Sequence, residues 1–394
     1  MLFRHFRLER HKQSNARLAS RPNFRSLIIC DIVLVDRKAK CAVQGAESRN
    51  EPPIIIMREF TTSRNRTIGE MLRGYRATQM LHVVAKLGIA DQLTKKTRTA
   101  DELAILVGAD SQALYRLLRA VASIGILEED LEGRFSLTEL GATLRSDVPD
   151  SSRNAAIMYG ERWWWDAWGG LFDAVRDGKT AFDHAHGMDL FSFLSADPHA
   201  ANVFNSSMQQ MTAQEGVAIV SAFDFSSVRK LIDVGGGHGA LAAAVLSRNP
   251  HVAVLLFDTP EVIGSAETNL ASLGVAHQCE LVSGDFFISV PSGGDIYSLK
   301  DILHDWDDNR AATILHNIRQ AVSMTARLLV IERIMTTGNS PSPAKLVDIS
   351  MLVLTGGRER TEREYRTLLT GAGFSVEQII AASGETSIIV AKPC

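Results

Sequence analysis

The sequence predicts an α/β fold, in which a helical first half precedes a mostly parallel β-sheet. Two observations lead to this prediction. From residue 229 onward, short apolar segments alternate with amphipathic helical segments, which is the pattern of strands joined by crossover helices. Before that point, apolar residues recur at helical spacing, and capping residues precede several of these segments.

The composition is that of a globular protein with a large core. The chain has 394 residues, of which 45% are hydrophobic and 22% are charged, and its formal net charge is -3. This charge gives no general attraction to nucleic acid or to a membrane surface, and no uncharged apolar run reaches the ~18 residues of a spanning helix. The four cysteines form no CxxC motif, so we expect no structural zinc, no disulfide framework and a cytoplasmic location.

Residues 1–56 differ from the rest of the chain by their excess of basic residues. They contain 11 Lys and Arg against 5 Asp and Glu. An organellar transit peptide has this composition, but we favour a disordered or non-native extension ahead of Met57. We therefore leave this segment out of the fold prediction.

Residues 57–150 are predicted to form a winged-helix-like domain. The helix in the position that reads DNA carries only Arg116 and Arg119 as basic residues, which is too few for that role. We therefore expect a dimerisation domain that binds no nucleic acid. Its predicted elements are three helices and a β-hairpin: 67–87, 99–107, 110–124, 126–129 and 134–137.

Residues 151–215 are predicted to be a helical region that links the two domains and lines the substrate site. Four of the five tryptophans lie within residues 163–168. Most aromatic and methionine side chains here are expected in the core, but such side chains also line pockets for flat ligands. We predict three substrate contacts in this region: Trp164, Phe204 and Met208.

Residues 216–394 contain the predicted sheet. A final pair of strands, joined by a turn at Gly384, is expected to run antiparallel. The predicted strands are 231–234, 252–257, 281–283, 295–299, 327–332, 375–380 and 387–392. The predicted helices are 240–248, 260–273, 307–322 and 361–372.

A glycine-rich loop with the sequence DVGGGHG follows the first predicted strand. Gly235 and Gly237 allow the backbone to turn sharply and to approach a ligand closely, and the N–H groups of the next helix point to the same place. Asp258 follows the second strand, where a carboxylate can accept hydrogen bonds from two vicinal ribose hydroxyls. These residues predict a nucleotide-like cofactor and fit both NAD and S-adenosylmethionine.

Three features favour S-adenosylmethionine over NAD. Asp233 precedes the glycines and can hold an ammonium group. Asp285 and Phe286 follow the third strand, where an acid and an aromatic ring can meet the edge and the face of an adenine. The antiparallel pair at the end of the sheet is the third feature.

His304 is the predicted general base. It follows the fourth strand, at the sheet edge where ligands bind in such folds. Glu332 and Glu359 are expected at neighbouring strand ends, and acids beside an imidazole orient it and stabilise its cation. Asp305 and Asp307 are expected to cap the next helix instead. Two further histidines, His238 and His316, are interpreted as structural.

In their order and spacing, the motifs DVGGGHG, FDTPEV, GDFF, LKDILHDW, ERI and GGRERT resemble those of class I methyltransferases. The similarity is to the caffeic-acid and chalcone O-methyltransferases of plants and to their bacterial relatives that act on polyketides, phenazines and carotenoid precursors. It covers residues 68–394 and implies a Rossmann-like methyltransferase sheet, a winged-helix homodimer and no metal ion. It also implies cofactor contacts from the glycine motif and from Asp258, Asp285, Phe286 and Lys300, with His304, Glu332 and Glu359 as the catalytic group. His238 replaces a common Thr, and Phe286 replaces a Met of many plant members.

The predicted function is transfer of a methyl group to a hydroxyl of a small aromatic or polyketide-like metabolite. An aromatic-rich pocket with a single imidazole base favours a planar phenol, and Trp306 of the LHDW motif is predicted to contact it. Two alternatives on the same fold remain open, an N-methyltransferase and a hydroxylase-type relative. A winged-helix regulator that binds a small molecule without catalysis and a nicotinamide oxidoreductase are the alternatives from other classes.

Overall fold

The computed structural model describes residues 67–384 and 386–394. The chain divides into two units, Met1–Ile56 and Met57–Cys394, and the described residues belong to the second unit. The predictions for residues 1–56 therefore lie outside the described residues.

The helices and the hairpin predicted for the first domain are present, with one break. The predicted helix over 67–87 is split at Arg73, whose N–H bonds to the Glu70 carbonyl in a tighter turn. Thr67 and Thr99 form capping boxes, and Asp110 caps the following helix. The elements are α1 (Ile68–Leu72), α2 (Gly74–Lys86), α3 (Ile89–Gln92), β1 (Arg98–Thr99), α4 (Ala100–Val107), α5 (Ser111–Ala122), β2 (Leu127–Glu129), β3 (Arg134–Leu137) and α6 (Glu139–Ala142). The short strand β1, which was not predicted, pairs with β3 and makes the hairpin a three-stranded sheet.

The middle region is helical, as predicted, but its last helix extends past the expected boundary at residue 215. Ile219 and Val220 are buried against the core of the large sheet, which explains why this helix continues. The helices are α7 (Arg153–Gly160), α8 (Arg162–Gly169), α9 (Leu171–Asp177), α10 (Ala181–His186), α11 (Leu190–Ala196) and α12 (Pro198–Ala222).

The second half forms a seven-stranded sheet, with helices in most of the connections between its strands but, among the described residues, none between β6 and β7 or between β9 and β10. The strand order is β6-β5-β4-β7-β8-β10-β9; β10 runs antiparallel to both of its neighbours, and the other pairs are parallel. The elements are β4 (Lys230–Val234), α13 (Ala240–Arg248), β5 (Ala253–Asp258), α14 (Pro260–Ser272), β6 (Cys279–Ser283), β7 (Ile296–Lys300), α15 (Asp308–Ala321), β8 (Arg327–Arg333), α16 (Pro343–Leu354), α17 (Glu362–Gly371), β9 (Phe374–Ser383) and β10 (Thr386–Pro393).

Helix α16 was not predicted. Its sequence is apolar on nearly every side, so it has no clear helical stripe. In the described part of the chain, none of the helices combines the length and apolar character that crossing a membrane requires.

The sheet places the predicted site at the carboxyl ends of β4 and β7. These two strands are neighbours in the middle of the sheet, and β5 continues the order on the other side of β4. The direction of strand addition therefore changes between β4 and β7, and in open α/β sheets such a point forms the ligand crevice.

Candidate active site

The glycine loop between β4 and α13 is tightly packed on one side and open on the other. Gly235 has φ +70°, and a Cβ there would overlap the side chain of Ile302. Gly237 has φ +57°, and a Cβ there would meet no atom within 4 Å. The loop therefore needs glycine for its conformation at both positions, and at Gly237 it also leaves room for a ligand.

Asp233 at the end of β4 offers an acceptor to which none of the described residues donates. Its side chain is buried, and Oδ1 accepts a hydrogen bond of 2.7 Å from the Ser298 hydroxyl. Its Oδ2 is buried and has no hydrogen-bond partner among the described residues. Burial raises the pKa of Asp233 to about 6. A buried carboxylate oxygen without a donor fits a ligand that brings a cationic or N–H group.

Asp258 and Phe286 also border the glycine loop. Asp258 Oδ2 accepts a hydrogen bond of 2.8 Å from the Gly237 N–H, and burial raises the pKa of this carboxyl. Phe286 follows β6, and its ring lies 3.7 Å from the position of a Cβ on Gly235. Asp285, next to it, is exposed and accepts a hydrogen bond from the Phe287 N–H. Three of the four predicted side chains of the cofactor site, those of Asp233, Asp258 and Phe286, thus lie at one loop, and Asp285 adjoins Phe286.

Lys300, the other predicted cofactor residue, is held by carboxylates. Its Nζ lies 2.9 Å from Glu215 Oε2 on α12 and forms an ion pair with Asp301. Arg333 also contacts Asp301 and Glu215, at 3.1 and 3.4 Å. Burial lowers the pKa of Lys300, but Asp301 and Glu215 outweigh this effect and raise it to about 12. The two cations and two anions form a partly buried network that fastens α12 to the strand ends.

His304 lies in the loop after β7, two residues beyond Ile302, and one of its ring nitrogens is held by a carboxylate. Its Nδ1 is 2.9 Å from Glu359 Oε1, and only 7% of the residue is exposed. Its Nε2 lies 3.8 Å from Asp305 Oδ1. Burial favours the neutral ring, but Glu332, Asp305 and Glu359 together outweigh it and raise the pKa of His304 to about 10.

Glu332 supports the loop that carries His304. Its Oε1 accepts hydrogen bonds from the backbone N–H groups of Ile302, Leu303 and His304 at 3.1, 2.8 and 3.4 Å. Its Oε2 lies 3.7 Å from His304 Nδ1 and has no hydrogen bond among the described residues. Burial raises the pKa of Glu332 to about 7. Glu332 is therefore near the imidazole, as predicted, but its direct contacts are to the backbone.

Two residues of the GGRERT motif that sequence analysis did not single out hold the same loop. Arg360 is buried and donates to the carbonyls of Leu303 and Trp306 at 2.7 and 2.8 Å. A Cβ on Gly357 would overlap the His304 carbonyl, so this position requires glycine. Arg360 and Gly357 both contact backbone carbonyls, and such contacts leave no pattern in the sequence. The only sequence signal for these two residues was that they lie close to Glu359.

The structure corrects the prediction that Asp305 caps α15. Asp307 is the cap, because its carboxylate accepts hydrogen bonds from the N–H groups of Asn309 and Arg310. The Asp305 side chain instead faces His304 Nε2, with no hydrogen bond among the described residues. Burial raises its pKa to about 6, although charged His304 lowers it. The one sequence signal for this role was its position next to His304.

The four predicted substrate residues fall into two aromatic groups. Trp164, Phe204 and Met208 are partly buried in the apolar cluster of the helical region. Trp306 is stacked on Phe191 of α11, with ring centroids 5.2 Å apart. The Arg310 guanidinium lies 4.1 Å from the Trp306 ring.

The ligand atoms of Asp301, His304 and Glu332 lie within 4.8 Å of one another, a spacing that a metal ion requires. Asp301 is paired with Lys300 and Arg333, however, and His304 Nδ1 is bonded to Glu359. These contacts engage the donors that a metal ion would need, and the absence of a metal from the site remains a prediction.

Comparison with known proteins identifies the class of enzyme. An O-methyltransferase domain matches residues 168–375, and an O-methyltransferase dimerisation domain matches residues 70–147. The phenazine O-methyltransferase of Lysobacter antibioticus is 42% identical over 324 residues, which cover 82% of this chain and 95% of that protein.

Solved structures agree with this match. The crystal structure of LaPhzM is 42% identical, with a TM-score of 0.80 over 82% of this chain and 98% of that chain. Human N-acetylserotonin methyltransferase, solved in complex with SAM, is 28% identical, with a TM-score of 0.78 over 86% of this chain and 99% of that chain.

The chain therefore belongs to the O-methyltransferase family and is an enzyme that uses S-adenosylmethionine. This finding confirms the resemblance that the motifs indicated and the α/β methyltransferase fold with an N-terminal dimerisation domain. It decides against the non-catalytic regulator and against the nicotinamide oxidoreductase.

The contacts of Arg360 predict a large stability effect. Arg360→Met removes the donor to the partly buried Trp306 carbonyl and leaves the Leu303 carbonyl with only the Trp306 N–H. A carbonyl left without a donor costs about 1–3 kcal/mol, so we expect a lower free energy of unfolding in urea. Arg358→Met is the matched control, because that half-exposed side chain makes only ion pairs at the surface, and we expect little change. Equal stability of the two variants would contradict the role of Arg360.

Proposed function

We propose that the enzyme methylates a phenolic hydroxyl of a small planar aromatic or polyketide-like metabolite, with His304 as the general base. The observation that carries this proposal is the hydrogen bond between His304 Nδ1 and Glu359, because it leaves Nε2 without a hydrogen-bond partner among the described residues, in the loop that follows β7. The substrate class is supported by the named activity of the phenazine O-methyltransferase and by the aromatic side chains of α8 and α12.

S-adenosylmethionine supplies a methyl group that is already activated on a positively charged sulfur. We assign its binding to the glycine loop, with Asp233 for its ammonium group and Asp258 for its ribose hydroxyls. Asp285 and Phe286 are assigned to the edge and the face of its adenine. Support comes from the unused buried oxygen of Asp233 and from the open face at Gly237. Lys300 remains a proposed cofactor residue. Because carboxylates hold its Nζ, we propose that it acts by keeping the end of β7 in position.

His304 removes the proton from the acceptor hydroxyl. Because Glu359 accepts a hydrogen bond from Nδ1–H, the neutral ring carries its lone pair on Nε2, where the acceptor is placed. Once the ring is protonated, Glu359 and Glu332 lie on the Nδ1 side of the cation and Asp305 on the Nε2 side. The surrounding charge therefore favours the product of proton transfer.

The basicity of His304 suits a phenol. The acids around His304 raise its pKa toward that of a phenol, whose reference value is about 10, so proton transfer from a phenol is less unfavourable than it would be to an ordinary imidazole. An aliphatic hydroxyl is much less acidic, and the same transfer from it would be strongly uphill. This match is the physical reason for preferring a phenolic acceptor.

The remaining contribution of the protein is orientation. Trp164, Phe204 and Met208 are proposed to form the apolar wall for the acceptor, with Trp306 held in place by Phe191. Holding two reactants in line supplies up to about 7–11 kcal/mol of a barrier, against a factor of about 10²–10⁴ for a general base. Orientation therefore lowers the barrier more than removal of the proton does.

We also propose a homodimer in the cytoplasm. The dimer is supported by the matched dimerisation domain and by apolar side chains on α1 and α2 that are more than half exposed: Ile68, Met71, Leu72 and Tyr75. The location is supported by the sequence alone, through the absence of close cysteine pairs.

Removing the base should reduce turnover without preventing cofactor binding. His304→Ala should lower the single-turnover rate by about 10²–10⁴-fold, because the imidazole serves the acceptor. Affinity for S-adenosylhomocysteine, measured by calorimetry, should stay close to wild type. Near wild-type turnover in a well-folded His304→Ala protein would show that this residue is structural.

The raised pKa of His304 predicts that activity rises with pH. The active ring is neutral, so single-turnover rates with a phenol should increase between pH 6 and 9, since the pKa of His304 is about 10. Glu359→Gln keeps an acceptor for Nδ1–H but removes a charge that raises this pKa, so its rate should level off at a lower pH. Rates that do not vary over this range would contradict the proposed base.

The exposed surface on α1 and α2 predicts the effect of a charge on assembly. Leu72→Asp should shift the sedimentation coefficient toward the monomer, because a carboxylate would be buried in the interface. Met324→Asp is the control, since that side chain is similarly exposed but lies before β8. A wild-type protein that sediments as a monomer at micromolar concentration would overturn the dimer.

A further inference from the structure

A closed ring of hydrogen bonds connects the glycine loop with α12 and α14. Asn269 of α14 donates from Nδ2 to the backbone carbonyl of His238, at 2.7 Å. Gln209 of α12 donates from Nε2 to Asn269 Oδ1, at 2.6 Å. The ring closes where Gln209 Oε1 lies 3.4 Å from His238 Nδ1. All three residues are partly buried, so water competes only in part for these bonds.

Donor and acceptor chemistry fixes the orientation of each group in the ring. The His238 carbonyl accepts only, so Asn269 must turn its NH₂ toward it and its oxygen toward Gln209. Gln209 then turns its NH₂ toward Asn269 and its oxygen toward His238 Nδ1, which carries a proton. Ser265 contacts the other ring nitrogen of His238 at 3.0 Å. A carboxylate of the same shape at Gln209 or Asn269 would remove one donor and break the ring.

The glycine loop depends on hydrogen bonds from other segments to keep its conformation. Its glycines carry no side chains that could hold the backbone, and Gly237 and Gly239 have positive φ. On one side of His238, Asp258 accepts a hydrogen bond from the Gly237 N–H. On the other side, Asn269 holds the His238 carbonyl. The backbone around His238 is therefore fixed by hydrogen bonds on two sides. The bond from Asn269 depends on α12, because Gln209 of that helix orients the Asn269 side chain.

We propose that Gln209 and Asn269 are positioning residues that keep the glycine loop in the conformation that binds the cofactor. The proposal rests on the assignment of S-adenosylmethionine to this loop. A loop that is already ordered loses less conformational entropy when a ligand binds, so its anchors increase affinity without touching the ligand. The ring also gives His238 a role, which the sequence left as merely structural.

The test compares isosteric variants. Asn269→Asp and Gln209→Glu should each bind S-adenosylhomocysteine about 3- to 10-fold more weakly by calorimetry, as expected for the loss of a hydrogen bond. The KM for S-adenosylmethionine should rise, while kcat at saturating cofactor stays nearly constant. In the ligand-free variants, the amide hydrogens of residues 236–239 should exchange faster than in wild type.

The matched control is Gln210→Glu, the next residue on α12. Gln210 Oε1 accepts a hydrogen bond from the Asn154 N–H, and a carboxylate can still accept it. This variant places the same charge on the same helix without touching the ring, so its affinity should equal that of wild type. If Asn269→Asp fails to fold, Gln209→Glu carries the test, because it retains the acceptor for His238.

Wild-type affinity for S-adenosylhomocysteine in folded Asn269→Asp and Gln209→Glu would overturn the proposal. Lower melting temperatures with unchanged affinity would do the same, because they would show a structural role only. Asp258→Ala separates this outcome from a failure of the cofactor assignment. If Asp258→Ala weakens binding and the ring variants do not, only the ring proposal fails; if none of them weakens it, the cofactor lies elsewhere.

Discussion

One carboxylate oxygen determines the shape of the loop between β7 and α15. Glu332 Oε1 accepts three consecutive backbone N–H groups at the point where the chain leaves the sheet. Those groups would otherwise be buried without partners, because the turn is too short to satisfy them itself. From the opposite side, Arg360 binds two carbonyls of the same loop. The position of His304 follows from these two residues, and the proposed chemistry follows from its position.

The positive charge of a protonated His304 explains how three acidic side chains can lie close together in a buried site. Glu332, Glu359 and Asp305 surround one imidazole, and burial makes each unpaired charge expensive. A protonated ring relieves this repulsion, which is why the pKa of His304 is raised despite burial. Next to this group, Lys300 and the residues paired with it balance their own charges. The proposed catalytic group is therefore acidic, and the network around Lys300 is neutral.

The sequence was sufficient to predict what depends on local pattern. Alternating strands and helices indicated the sheet, and residues at the ends of parallel strands must meet at one edge, so His304 and Glu332 were correctly placed together. Glu359 was also expected at a strand end, but it lies between α16 and α17, and the packing of that segment brings it to His304 Nδ1. The sequence was not sufficient to predict contacts with backbone groups, such as those of Arg360 and Gly357, because such contacts form only when distant segments pack together. Asp305 was misassigned for the same reason: an acid before a helix usually caps it, and only the path of the loop turns this one inward.

Successive turns of α12 serve different parts of the protein. Its first half contributes Phe204 and Met208 to the apolar cluster, Gln209 faces the glycine loop, and Glu215 pairs with Lys300. A rigid helix transmits a displacement along its whole length, so a change of volume at Met208 would also move the groups that follow it. Diversification of the proposed acceptor pocket, in evolution or by engineering, is therefore expected to be less constrained on the short helix α8, which carries Trp164 and none of the groups that contact the glycine loop or Lys300.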